Sequence, residues 1–173
     1  MFRISQYLRE LAQAQATGSY PTPRERHAKG PVVIWNLIRR CNLTCKHCYA
    51  LSADHDYAGE LSLPEVFTVM DDLKAFGVPA LILSGGEPLL RPDLFEIAAR
   101  ARDLGFYTGL STNGTLIDAP MAARIAGAGF DYVGISLDGL RIIHDRFRRM
   151  NGAFDESLAA IRHLTKRKVK VGL

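Results

Sequence analysis

Ala80-Leu81-Ile82-Leu83-Ser84-Gly85-Gly86-Glu87-Pro88 decides the architecture of this chain. Its first four residues are apolar and make a short buried strand, which ends in a turn with paired glycines. A helical run from Pro92 to Leu104 follows, with Pro92 at a position that the first helical turn tolerates. The same unit recurs on both sides. Upstream, Val32 to Ile38 is a β-rich run, and Leu63 to Phe76 is a helix with Leu63, Val66, Phe67, Met70, Leu73 and Phe76 on one face. Downstream come a strand at Phe106 to Ser111, a helix at Asp118 to Ala128 that Gly129 stops, a strand at Tyr132 to Leu137 and a helix at Ala153 to Thr165. Val169 to Leu173 reads as the start of a fifth strand. Strands alternating with helices of this length predict an α/β fold on a parallel sheet with right-handed crossovers. Short apolar strands imply that at least one face of the sheet is covered.

The ends and the composition narrow the class. Residues 2–15 carry Phe2, Ile4, Tyr7, Leu8 and Leu11 near helical period, and residues 17–31 are polar with Gly18, Pro21, Pro23, Gly30 and Pro31. The expectation is an N-terminal helix and linker over 1–31, then a core domain over 32–173. The apolar strand at the end has nothing after it, so a fragment of a longer protein is expected; a naturally short chain with an open edge is the alternative. Of the 173 residues, 47% are hydrophobic and 23% charged, enough for a packed core. The net charge, 22 − 18 = +4, gathers in Arg39-Arg40, Arg146 to Arg149 and Lys166 to Lys170. Each run reads as a solvated surface or as a site for a multiply anionic substrate. No nucleic-acid-binding pattern is present, and no apolar run is long enough to span a bilayer. The N-terminus lacks the apolar core of a signal peptide, so the expected compartment is the cytoplasm, with reduced thiols.

The chemistry lies directly after the first strand, in Arg40-Cys41-Asn42-Leu43-Thr44-Cys45-Lys46-His47-Cys48-Tyr49. Three cysteines within eight residues of a reduced chain are metal ligands or reactive thiols rather than a disulfide framework. Closely spaced thiolates favour an iron–sulfur cluster or zinc. A four-iron cubane usually takes four cysteines, and this chain has three, so one iron would keep open coordination positions for a small chelating ligand. The alternative is a zinc site with a fourth ligand such as His55. Gly85-Gly86-Glu87-Pro88 also follows a strand, on the same face. Its glycines let backbone groups approach a ligand, and Glu87 either adds a carboxylate or fixes the loop. An ordinary strand-to-helix turn is the competing reading.

Cys-x3-Cys-x2-Cys after the first strand, with Gly-Gly-Glu-Pro after the second, resembles the radical S-adenosylmethionine (SAM) superfamily. The resemblance covers residues 32–173 and implies a partial (β/α)6 barrel, here truncated within strand five. It implies that Cys41, Cys45 and Cys48 bind a [4Fe-4S] cluster whose open iron chelates the methionine end of SAM. Reductive cleavage would then give a 5′-deoxyadenosyl radical that abstracts a substrate hydrogen, the protein orienting and shielding the chemistry. By the same resemblance Gly85, Gly86 and Glu87 match the loop that contacts the methionine amine. His47 stands where the family usually has an aromatic residue against adenine. Ser111 and Asn113 at the end of strand three, and Ser136 and Asp138 at the end of strand four, fall where related enzymes contact SAM. Turn-capping is the alternative for the serines and Asp138, and a solvent-facing loop residue for His47.

Three stretches narrow the resemblance: Pro31 to Tyr49, Met1 to Leu8, and Asp138-Gly-Leu-Arg with His144-Asp145-Arg146-Phe147-Arg148. They are similar to enzymes that modify sirohaem-derived tetrapyrroles, nearest the radical SAM family of heme d1 biosynthesis in denitrification. That implies didecarboxysiroheme as substrate, with two propionate side chains replaced by oxo groups. It also implies a flavodoxin- or ferredoxin-type electron donor and a C-terminal SPASM-like cluster domain that this chain lacks. Arg146 and Arg148, with Arg39, Arg40 and Arg149, are candidates for pairing with substrate carboxylates, because guanidinium matches carboxylate in a bidentate way. Surface arginines are the alternative. Relatives on the alternative heme b route and peptide-modifying enzymes share these motifs.

Overall fold

The computed structural model describes residues 12–18 and 30–173. Residues 12–17 are helical; the remainder of the expected N-terminal helix and most of the expected linker lie outside the described residues. Strands β1 (Val33–Ile38), β2 (Ala80–Gly85), β3 (Tyr107–Thr112), β4 (Tyr132–Ile135) and β5 (Val171–Gly172) form one sheet in the order 1-2-3-4-5. Every neighbouring pair is parallel. The connections contain α1 (Leu63–Ala75), α2 (Leu94–Asp103), α3 (Ala119–Ala128), and the pair α4 (Arg141–Arg148) and α5 (Ala153–Lys166). The expected truncated α/β barrel is the observed architecture.

Local chemistry explains the boundaries. Ser62 starts α1, and Glu65 reaches back to accept its backbone N–H at 2.8 Å, a reciprocal cap. Asp118 caps α3 by accepting from the Met121 N–H at 2.8 Å, and Gly129, at φ 74°, ends it. The register then sorts the strand residues. Trp35 pairs with Leu83, Leu83 with Leu110, and Leu110 with Val133, making one row across the sheet. Leu83, Leu110 and Val133 are fully buried with Val66, Met70, Ile97, Ile125 and Leu164 of the helices. Each such side chain contributes about 1.5–3 kcal/mol on burial. Side chains alternate along a strand, so the adjacent row, where Asn36 pairs with Ser84 and Ser111 with Gly134, lines the opposite face.

Some sequence expectations shift. β2 runs on to Gly85 because it pairs with β1 that far, and β4 stops at Ile135. Pro92 does not sit in the first turn of α2. A 3₁₀ turn at Pro88–Leu90 and a further turn at Pro92 and Asp93 come first. Helix α4 was not expected at all. It buries His144 and Arg148, one helical turn apart, and leaves Ile142 and Ile143 exposed, as is Leu140 just before it, the inverse of the apolar periodicity that identifies helices. Among the described residues no helix is long and apolar enough to cross a membrane.

Candidate active site

Loops leaving the carboxyl ends of β1 to β4 meet on one side of the sheet and enclose a cavity of about 210 Å³. This is the end of a parallel α/β sheet where ligands bind. The β1 loop brings Cys41, Cys45, His47 and Cys48 to it, β2 brings Gly85 and Gly86, β3 brings Ser111 and Asn113, and β4 brings Ser136. These nine expected residues share one cavity; Glu87 and Asp138 are not on its wall. Ser84, Thr112, Tyr49 and Ser52, which the sequence reading did not single out, share the wall.

The cysteine loop is pinned at both ends. The Cys41 N–H donates to the Ala53 carbonyl at 3.1 Å, and the Lys46 N–H donates to the Phe147 carbonyl at the end of α4 at 2.8 Å. Each sulfur faces N–H donors. The Leu43 N–H lies 3.4 Å from Cys41 Sγ and the Asn113 amide 3.8 Å from it. Arg148 stands 3.8 Å from Cys45 Sγ, and the Ser52 N–H 3.4 Å from Cys48 Sγ. Burial pushes the Cys41 thiol up to about 11. It raises Cys45 as well, against the pull of the Arg148 guanidinium. At Cys48 burial also acts upward, but the hydrogen bonds from Ser52 and the neighbouring backbone outweigh it and lower the thiol.

The glycines, which line the cavity, also have a structural job. A side chain at Gly86 would collide with the Arg39 and Arg40 carbonyls, and one at Gly85, already at φ 146°, with the Ile38 carbonyl. The Gly86 N–H donates to the Ile38 carbonyl at 2.7 Å and the Glu87 N–H to the Arg40 carbonyl at 2.9 Å. The β2 loop is thus laced directly onto the strand end that leads into Cys41. This demands glycine whether or not a ligand is near.

Glu87 does not line the cavity. It is fully buried and accepts from the Thr112 hydroxyl at 2.7 Å, the Asn113 N–H at 2.9 Å and the Leu89 N–H at 3.1 Å. Of the two roles open to it, the structure supports fixing the loop. Burial raises its carboxyl above the usual range, against these three donors and Arg148. Asn113 is held in turn. Its side chain donates to Asn42 at 2.9 Å, and Ser157 donates to its carbonyl at 3.0 Å.

Asp138, a candidate SAM contact, and Arg148, a candidate substrate contact, are joined in the structure. Arg148 is only 9% exposed and grips Asp138 with Nε at 2.7 Å and a second nitrogen at 3.1 Å. Arg148 is therefore not a free arm for a substrate carboxylate, and Asp138 already has a cationic partner. His47 lies 3.6 Å from Asp138, with its ring 5.5 Å from that of Phe147. Buried His144 accepts the Asp138 N–H at 3.2 Å, and burial, then Arg148, lowers its pKa. Arg146 is exposed and off the cavity wall; Arg40 is paired with Asp54 and Asp56, and Arg39 stacks on Tyr57. His55 packs against Tyr57 with ring centroids 4.1 Å apart, away from the cysteine cavity.

Residues 35–173 match the Radical SAM superfamily. The chain belongs to the radical SAM superfamily. It is 53% identical to the pre-heme d1 synthase of Dinoroseobacter shibae over the whole of this chain and 42% of that protein. It is 50% identical to the Fe-coproporphyrin III synthase of Methanosarcina barkeri over 84% of this chain and 36% of that one. The chain thus spans about two-fifths of the curated relatives it matches. Among solved structures, anSMEcpe with bound AdoMet and a peptide superposes with a TM-score of 0.65 at 26% identity, over 82% of this chain and 41% of that one. Streptococcus suis SuiB bound to S-adenosylmethionine superposes with a TM-score of 0.70 at 16% identity, over 96% of this chain and 37% of that one, which speaks to the fold. Radical SAM enzymes use a [4Fe-4S] cluster and SAM. The zinc module weighed from the spacing gives way to this family.

The residues fit those groups. A cubane spreads its ligands over separate irons, so three thiols around one cavity, each facing an N–H donor, suit it.

Proposed function

We propose that this chain is the cofactor-binding barrel of an enzyme of heme d1 biosynthesis that removes propionate side chains from didecarboxysiroheme. The observation that carries the reading is the three-cysteine cavity in a chain 53% identical along its whole length to a pre-heme d1 synthase. In this reading Cys41, Cys45 and Cys48 ligate the cluster. The Gly85-Gly86 backbone, Ser111, Asn113 and Ser136 hold SAM, with His47 at the rim. When bound, these groups supply reductive cleavage of a sulfonium and hydrogen abstraction.

The chain's own residues orient and shield that chemistry. The Gly86 and Glu87 N–H bonds lock the β2 loop to the end of β1, so the cysteine sulfurs and the SAM-binding backbone keep a fixed spacing. Glu87, Thr112 and Asn113 fasten the β3 loop to the same frame. Orientation of this kind contributes several kcal/mol to a reaction when the reacting groups are held near attack geometry. Exposed Arg146 remains the candidate contact for a tetrapyrrole carboxylate, and a flavodoxin- or ferredoxin-type protein the candidate reductant.

A second reading has its own support. The 50% identity to an Fe-coproporphyrin III synthase, and 43% to an AdoMet-dependent heme synthase of the same Methanosarcina, favours a heme-route decarboxylase. Anaerobic incubation with SAM, a low-potential reductant and each tetrapyrrole, followed by mass spectrometry, separates the two. We expect didecarboxysiroheme to lose both propionates with release of 5′-deoxyadenosine. Decarboxylation of the heme-route substrate alone would replace the first reading with the second.

A further inference from the structure

We propose that Arg148 is a positioning residue for the iron–sulfur centre: clamped by Asp138, it presents one charged N–H to the sulfur of Cys45 and thereby raises the reduction potential of the bound cluster. This rests on the reading that Cys41, Cys45 and Cys48 ligate that cluster.

The geometry uses the guanidinium fork fully. Nε and one terminal nitrogen hold the two Asp138 oxygens at 2.7 and 3.1 Å. A bidentate grip of this kind fixes the plane of the group. The remaining terminal nitrogen then points at Cys45 Sγ at 3.8 Å. Asp138 is itself held, since its N–H donates to His144, which is 1% exposed. Arg148 is 9% exposed, so solvent screens little of its field. The hydrogen-bond donors on the other two sulfurs are neutral: the Leu43 and Ser52 backbone and the Asn113 amide. Arg148 is the charged one among the described residues.

The pair acts as an oriented dipole, with its positive end on the cysteine sulfur and its negative end turned away. Reduction adds an electron to the cluster. A positive end against a ligand sulfur stabilises the reduced state more than the oxidised one, and hydrogen bonds to sulfur and local charge are the levers that set cluster potentials. Helix α4 has the job of delivering this group. Its exposed apolar face is not what holds it in place. His144 and Arg148, its two buried side chains, both converge on Asp138.

The test compares the anaerobically reconstituted protein with R148Q and R148K. Three quantities are measured: midpoint potential by EPR-monitored titration, iron and acid-labile sulfide content, and circular dichroism. We expect R148Q to keep parental iron content and fold but to titrate at a more negative potential. R148K should show a smaller shift in the same direction, because a compact ammonium cannot grip both Asp138 oxygens and reach Cys45. R148Q loading iron and titrating at the parental potential overturns the proposal. If R148Q does not load, R148K decides it: a lowered potential sustains it, and an unchanged one overturns it. Loss of the cluster from both variants in folded protein also overturns it, since a tuning residue leaves ligation to the three sulfurs. A parental protein that takes up no redox-active cluster is a different failure, that of the ligand reading itself.

Discussion

Leu83, Leu110 and Val133 form a fully buried row on the helix-covered face of the sheet, whereas one residue further along the same strands stand Ser84, Ser111 and Gly134. The strands are shared, and the two faces differ only by the alternation of side chains. The first row packs against aliphatic side chains of α1, α2, α3 and α5 and holds the fold. The second is short and polar and leaves room, and at its carboxyl end it opens into the cysteine cavity. Stability and chemistry are thus separated by one residue of strand register. Substitutions on the two faces should fail in different ways.

Removing a proposed cluster ligand breaks the comparison most sharply. Cys48→Ala, at the polar end, should abolish cluster loading and lower 5′-deoxyadenosine release by more than about 100-fold, beyond the loss typical when a group hydrogen-bonded to a metal ligand is removed. Its denaturant midpoint in the apo form should hardly move. On the packed face, Leu110→Ala should cost about 2–5 kcal/mol in urea unfolding while the surviving folded fraction still loads iron. A variant of Leu110 that folds normally but fails to load would dissolve the distinction between the faces.

Glu87 sits where the faces meet, and its effect should be smaller. Glu87→Gln turns an amide N–H₂ toward either the Asn113 N–H or the Leu89 and Thr112 donors, leaving donors opposed in a buried site. That should cost about 1–3 kcal/mol. Because burial raises its folded-state pKa, the native protein holds this proton more tightly than the unfolded chain. The associated stability is present below the unfolded value near 4.5 and is lost as pH rises through the folded one. Urea midpoints measured against pH should show that decline in the parent and not in E87Q.

Asp145 provides the opposite sign. It accepts from the Gly152 and Phe154 N–H groups at 2.8 and 2.9 Å at the start of α5, and these two bonds lower its pKa. Its contribution is present above the unfolded pKa near 3.8 and is lost as pH falls through the lower folded one. Asp145→Ala should cost about 1 kcal/mol, the usual loss of a helix cap, and flatten the acid limb of the thermal-stability profile. The mildest case returns to the polar face. Ser111→Ala should shift stability within about 0.5 kcal/mol, while SAM affinity measured by calorimetry weakens. Unchanged SAM binding would remove Ser111 from the proposed site.

How far these features could be read in advance follows from their range along the chain. The β/α rhythm and the loop positions of the cysteines and glycines are local patterns, and the structure repeats them with boundaries moved by a few residues. Helix α4 escaped because its buried positions are a histidine and an arginine, and its isoleucines face outward. Glu87 and Thr112 lie 25 residues apart, and Arg148 and Cys45 lie 103 apart. Nothing in the residue types announces either pairing.

What the sequence determined alone is the alternation of apolar strands and amphipathic helices, and the spacing of three thiols on the loop after the first strand. Both are set by periodicity and chain distance, which act within a few residues. Which polar groups face the cavity and which are consumed holding it was decided only by the tertiary structure. Gly86 against the Arg39 and Arg40 carbonyls, Glu87 under Thr112, and Arg148 against Cys45 all depend on strands and loops brought together from distant parts of the chain. A buried polar group must find a partner wherever packing places one, and that partner is fixed by the closing of the sheet rather than by neighbours in sequence.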